Sequence, residues 1–169
     1  MQSKKLTEGD LQQEANLRGS VNEKKSLEGR YLEENTFVIL KPESLIRGIA
    51  GQIISRFEDK GLRITALDYR NLGRSFLEKF YSHIKHKHFF GRIVHLMTRG
   101  PVIGMVIRGH LAIDVVRSMI GPTDPTEALG GTIRGDFATS LEEGNVIHAS
   151  DSEESYLREL RLFSPELFE

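Results

Sequence analysis

Thr36-Phe37-Val38-Ile39-Leu40-Lys41-Pro42 decides how the rest of the chain is read. The first five residues form an unbroken, uncharged run rich in β-formers, the pattern of a buried central strand rather than a half-exposed one. Pro42 ends the run because it has no N–H to give to a ladder. A central strand of this kind needs helices packed over its sheet, and the sequence on its C-terminal side supplies them.

Ile46, Ile49, Ala50, Ile53, Ile54 and Phe57 recur at helical spacing and predict an amphipathic helix stopped by Gly61. Leu62 to Tyr69 alternates, with Leu62, Ile64 and Ala66 on one face, as in a half-buried strand. Ser75 to about Arg99 is helical in pattern, read as two short helices broken near His86-Lys87-His88. Pro101 to Ile107 is a second buried strand, and Ala112, Val115, Val116, Met119 and Ile120 mark a helix closed by Gly121-Pro122. Residues 121–135 carry four glycines and two prolines and read as one long loop, which in a compact domain is usually functional. Val146 to Ala149 is a short strand. Tyr156, Leu157, Leu160 and Phe163 give the last helix, with Ser150 and Glu153 spaced as a capping box. This order fits an α/β fold, an α+β sandwich of the ferredoxin-like kind: a mostly antiparallel four-stranded sheet covered by helices.

Residues 1–34 stand apart. They mix basic and acidic residues with scattered leucines, too little apolar content for a core, and read as a polar extension that is disordered or partly helical. The segment is too acidic for a transit peptide and lacks the apolar stretch of a signal peptide. The catalytic domain is expected over 35–169. The formal net charge of −1 provides no global field for nucleic acid or an anionic membrane, so anion binding must be local. No run approaches the roughly 20 apolar residues of a membrane span. The chain has no cysteine, which removes thiolate chemistry and cysteine-held zinc, and the reading leans towards a cytoplasmic protein.

The candidate nucleophile is His148, in Asn145-Val146-Ile147-His148-Ala149-Ser150-Asp151-Ser152, where a short strand gives way to helix-capping residues. A neutral imidazole carries a lone pair near neutral pH and forms a labile phosphoramidate. One ring nitrogen attacks well when the other holds its proton against a fixed acceptor. Glu159 lies at the edge of the inward face of the last helix, where it is either that acceptor or an exposed carboxylate. Ser150 either orients the same group or caps the helix. Arg117, Thr123 and Arg134 bracket the long loop, and two guanidiniums with a hydroxyl suit a polyphosphate. Lys41 stands at the end of the central strand. P-loop, dinucleotide-fold and protein-kinase motifs are all missing. His83, His86 and His88 lack acidic companions and read as a solvent-facing cluster.

Taken together, these segments resemble the nucleoside diphosphate kinases over about Asn35 to Phe168. The resemblance rests on Thr36 to Pro42, Arg47-Gly48, Tyr81, Phe89-Phe90, Gly100-Pro101-Val102, Thr132-Ile133-Arg134-Gly135-Asp136-Phe137 and Asn145 to Ser152. It implies transfer of the γ-phosphate of ATP, or another nucleoside triphosphate, to a nucleoside diphosphate through phosphorylated His148. It further implies that Lys41 contacts ribose and terminal phosphate, with Tyr81 in support, and that Phe89 stacks on the base. Arg117, Thr123 and Arg134 would hold phosphates, Asn145 the ribose, and Ser150 with Glu159 would orient the histidine. Magnesium would arrive bridging the phosphates, with no direct protein ligand. Subunits would form a homo-oligomer built from dimers, a tetramer or a hexamer, without membrane or specific nucleic-acid partners. The alternative is a catalytically silent nucleotide-binding module on the same fold. Three departures stand out: Lys41-Pro42-Glu43-Ser44 where the family usually has Lys-Pro-Asp-Gly, Gly130 where it often has proline, and a segment 138–144 that is one residue longer. That insertion leaves Leu141 as a candidate opposite Phe89.

Overall fold

The computed structural model describes residues 32–165. The expectation for the N-terminal extension falls outside this range, apart from its last three residues.

The Phe37–Leu40 run lies in β1 (Glu33–Leu40), second from one edge of a four-stranded sheet. Short helix α1 (Pro42–Ile46) follows, then α2 (Ala50–Asp59), β2 (Arg63–Arg70) and α3 (Arg74–Phe80). A 3-10 turn at Ser82–Ile84 leads to α4 (Phe90–Met97), β3 (Val102–His110) and α5 (Ala112–Ile120). A second 3-10 turn (Pro125–Glu127) precedes α6 (Ile133–Phe137), β4 (Ile147–Ala149) and α7 (Glu153–Phe163). The strand order is β2-β3-β1-β4 and every pairing is antiparallel. Two βαβ crossovers therefore interleave, β1-α2-β2 around β3 and β3-α5-β4 around β1, which is the ferredoxin-like arrangement.

Alternation along β1 explains its unbroken apolar run. Val38 and Leu40 pack under α2 and α5 with Ile53, Phe57, Val116 and Ile120. Phe37 and Ile39 face the other way, onto Leu77, Phe80, Met97 and Phe163 of α3, α4 and α7. Both faces are dry there, so no position from Phe37 to Leu40 can be polar without cost.

Four sequence expectations change. The helix drawn through Ile46 is two helices, because Gly48 takes φ +68° between them and leaves Ile46 59% exposed. Ile64 and Ala66 do not share a face: the β2–β3 register shifts between them, Ile64 packing toward α2 and α5 and Ala66 toward Phe163. The long loop is not structureless, since the 3-10 turn and α6 lie in or start within it. Finally, the cap of α7 is Ser152, whose hydroxyl accepts the Ser155 N–H at 3.1 Å. Ser150 is not the cap: its hydroxyl is turned to Glu159 Oε2 and Phe37 O, and its N–H extends the β1–β4 ladder.

Candidate active site

Pairing places the imidazole. His148 sits opposite Ile39, while its neighbours Ile147 and Ala149 point into the α2/α5 core. Strand alternation therefore turns His148 to the other face, against the rings of Phe80 (5.4 Å between centroids, 74° between planes) and Tyr81 (6.3 Å, 87°). Two aromatic walls fix its plane. Its Nε2 meets Glu159 Oε2 at 2.8 Å, and Ser150 Oγ donates to the same oxygen at 2.7 Å.

Glu159 is 4% exposed on the inner face of α7. Burial alone would raise its carboxyl; the hydrogen bonds from His148 and Ser150, with nearby charges, outweigh that and hold it below the ordinary carboxylate range. An ionised acceptor on Nε2 keeps the ring proton there and leaves Nδ1 with the lone pair. The sequence had left open whether Glu159 was an exposed carboxylate and Ser150 a helix cap. In the structure Glu159 is buried and bonded to the imidazole, and the Ser150 hydroxyl donates to Glu159 instead of capping α7.

A cleft of about 460 Å³ opens beside the ring at the C-terminal end of β1, a volume within the range of small-molecule sites. Nine of the ten sequence-predicted site residues line it, and Ser150 stands behind Glu159. Arg117 enters from the last turn of α5 and Thr123 from the loop beyond. Arg134 enters from the first turn of α6, where Thr132 caps by accepting the Gly135 N–H. Arg134 is 4% exposed; it donates to Gly121 O at 2.8 Å and Ile147 O at 2.9 Å, yet its buried Nε finds no partner. Burial, and then the charge of Arg117, lowers its pKa to about 10. An anion lying between the two guanidiniums would relieve that repulsion.

Lys41 follows the strand end. Its Nζ donates to Asn145 Oδ1, and burial lowers its pKa to about 8, with Glu43 opposing and Arg134 adding to the shift. Asn145 also donates to Thr123 O at 2.8 Å, so the loop, the lysine and the histidine segment are tied together. Burial pushes the Tyr81 hydroxyl up, with the Glu159 and Glu43 carboxylates adding, so it remains a donor at any working pH. At the far end, Phe89 and Leu141 both line the cleft with Ile84, Ile93 and Leu96, an apolar slot suited to a flat ring.

Sequence reasoning missed several wall residues. Arg92 and Ile93 follow Phe89 by three and four positions and share its helical face, a signal that was available. Arg92 pairs with Glu142 of the 138–144 segment at 2.8 Å across the mouth. Asp151 also lines the cleft, its pKa lowered first by a hydrogen bond with Ser155, and Arg158 bonds Glu159 Oε1 at 3.3 Å. His83 reaches the rim, and all three of His83, His86 and His88 are exposed.

A cation-lined cleft, a slot for a flat ring and an imidazole loaded through one nitrogen define a phosphotransferase on a ferredoxin-like sheet. The nucleoside diphosphate kinase family model matches residues 34–167. The nucleoside diphosphate kinase of Staphylothermus marinus is 53% identical over 129 residues, 76% of this chain and 91% of its own. Among solved structures, the apo enzyme of Encephalitozoon cuniculi superposes with a TM-score of 0.74 at 40% identity, covering 78% of this chain and 88% of that one. That of Borrelia burgdorferi, a transition-state mimic holding vanadate and ADP, superposes with a TM-score of 0.72 at 34% identity, covering 78% and 87%. The chain belongs to the nucleoside diphosphate kinase family, and it is a phosphotransferase. The silent-module alternative is not favoured.

Proposed function

We propose that this nucleoside diphosphate kinase works in two half-reactions through Nδ1 of His148. In the first, the Nδ1 lone pair attacks the γ-phosphorus of a nucleoside triphosphate in line. The bond from that phosphorus to the β–γ bridging oxygen breaks, and the nucleoside diphosphate leaves with the electron pair. In the second, a terminal oxygen of an acceptor diphosphate attacks the phosphorus and the P–N bond breaks. The proton on Nε2 stays against Glu159 throughout. The observation that carries this reading is the Nε2–Glu159 contact at 2.8 Å, which leaves the other nitrogen free to meet phosphorus.

Arg117, Arg134 and Lys41 would offset charge on the equatorial oxygens, where positioning and electrostatics do most of the catalysis. Asn145 and Lys41 would hold the ribose, Thr123 a phosphate, and Phe89 the base with Leu141 opposite. Stacking reads no base edge, so selectivity among bases should be low. The cleft suits magnesium that arrives on the phosphates: Lys41, Arg117 and Arg134 line it for the phosphates, and the carboxylates of Asp151 and Glu159 also stand on its wall. There the metal would neutralise charge building on the β- and γ-oxygens.

Edge strand β2 exposes Leu67 (54%) and Tyr69 (61%), an apolar edge that supports a dimer as the unit of a tetramer or hexamer. Among the described residues no helix is long and apolar enough to cross a membrane. With the absence of cysteine, this supports a cytoplasmic setting.

Mixing the enzyme with γ-labelled ATP and no acceptor should label it once per chain, with acid-labile label at His148. His148→Ala should lose both label and transfer while keeping its fold by circular dichroism. Stoichiometric label at another residue would overturn the assignment.

A further inference from the structure

Two buried side chains behind the cleft have no part in the steps above. Glu43 is 7% exposed and Ser44 fully buried, both on α1 directly after Lys41-Pro42. Each reaches across to Val146. Glu43 Oε1 accepts the Val146 N–H at 3.0 Å, and Ser44 Oγ donates to the Val146 carbonyl at 2.5 Å, which also accepts the Lys41 N–H at 2.9 Å.

Val146 is an unusual residue to hold in this way. Its φ is +58°, in the left-handed region that a β-branched side chain avoids. It lies between Asn145, which bonds Lys41 and Thr123, and Ile147-His148, which enter the sheet. The left-handed turn there changes the chain's direction so that both functional side chains serve one cleft. Gly144 shows how closely the clamp fits: at φ +104°, a Cβ on it would stand 2.2 Å from Glu43 Oε1.

We propose that Glu43 and Ser44 are positioning residues for phosphoryl transfer. They grip both peptide groups of Val146, hold it in its strained conformation, and so fix His148 and Asn145 relative to Lys41. This rests on His148 being the residue phosphorylated. The acceptor atom, not the charge, is what Glu43 contributes to Val146, which separates this role from any field it exerts on Lys41.

The test is rapid-quench measurement of phosphoenzyme formation at saturating ATP, well below each variant's melting temperature. The enzymes are wild type, Glu43→Ala, Glu43→Gln and Ser44→Ala. Loss of the clamp in Glu43→Ala should slow phosphorylation of His148 by about tenfold or more, as expected when a reacting group is displaced by a fraction of an ångström. Glu43→Gln keeps an acceptor for the Val146 N–H and should stay within about threefold of wild type. Ser44→Ala, the milder change, should slow the step about threefold and serves if Glu43→Ala does not fold. The drop should appear in kcat more than in nucleotide KM. The proposal is overturned if folded Glu43→Ala, or Ser44→Ala in its place, phosphorylates within twofold of wild type. It is also overturned if Glu43→Gln is as slow as the alanine variant. If the wild type itself is not labelled at His148, the chemical assignment has failed rather than the clamp.

Discussion

At Glu159 two opposing effects meet: desolvation favours the neutral acid, and the hydrogen bonds from His148 and Ser150, with nearby charges, favour the carboxylate and win. Its folded pKa lies below its unfolded value of about 4.3, so the stabilisation is complete above that value and is lost as pH falls through the folded one. Glu159→Gln should therefore flatten the decline in melting temperature between about pH 5 and pH 3, measured by calorimetry. The same variant set should include Glu159→Ala, expected to slow transfer by about 10- to 100-fold without abolishing it, since Nδ1 remains. An unchanged rate would remove Glu159 from the site. Lys41 has the same sign in a higher pH window, although there burial favours the neutral form. Its folded pKa of about 8 lies below the unfolded one, so the unfolded chain holds the extra proton in between. The free enzyme gains stability from this group as pH rises from about 8 to 10. A bound polyphosphate would favour the charged ammonium, so nucleotide binding near about pH 8.5 should take up protons. Titration calorimetry in buffers of different ionisation enthalpy measures this, and equal uptake by Lys41→Ala would assign the proton elsewhere.

Among the elements, α7 matters most because it carries Glu159, and its seat depends on one missing side chain. A Cβ on Gly104 of β3 would stand 2.4 Å from the Phe163 ring at the end of α7. The ring is held there by Phe37 and Phe76, with centroids at 5.0 and 6.0 Å. Gly104→Ala should push the helix outward at a cost of about 1–3 kcal/mol, the usual range for overpacking. That corresponds to a melting temperature lower by roughly 2–12 °C, with transfer slowed because Glu159 moves with its helix. An unchanged melting temperature would show that α7 does not depend on this contact. The three-residue strand β4 illustrates the converse: too short to announce its own pairing, it is set by the ladder to β1, which brings His148 opposite Ile39.

For the whole molecule, a net charge of −1 coexists with a cleft that gathers Lys41, Arg117 and Arg134, so anion binding is a matter of local arrangement. Deleting residues 1–30 is expected to leave ATP-to-GDP transfer within about twofold of full length, because every candidate site residue lies beyond them; a large loss would place the extension in the active assembly. Light scattering on the same samples reports whether mass per particle changes. Much of this protein could be read from its residues alone. Unbroken apolar runs located the central strands, period-3.6 patterns located the core helices, and the chemistry of histidine, arginine and lysine around one loop pointed to phosphate. Those signals are local, arising from covalent geometry and side-chain character within a few positions. The sequence could not reveal the bulge that sends Ile64 and Ala66 to opposite faces, the burial of Glu159, or the clasp of Glu43 and Ser44 on a left-handed Val146. Each depends on groups from distant parts of the chain meeting in a dry interior, where an unmet donor or acceptor is costly, and only the folded arrangement determines which partners meet.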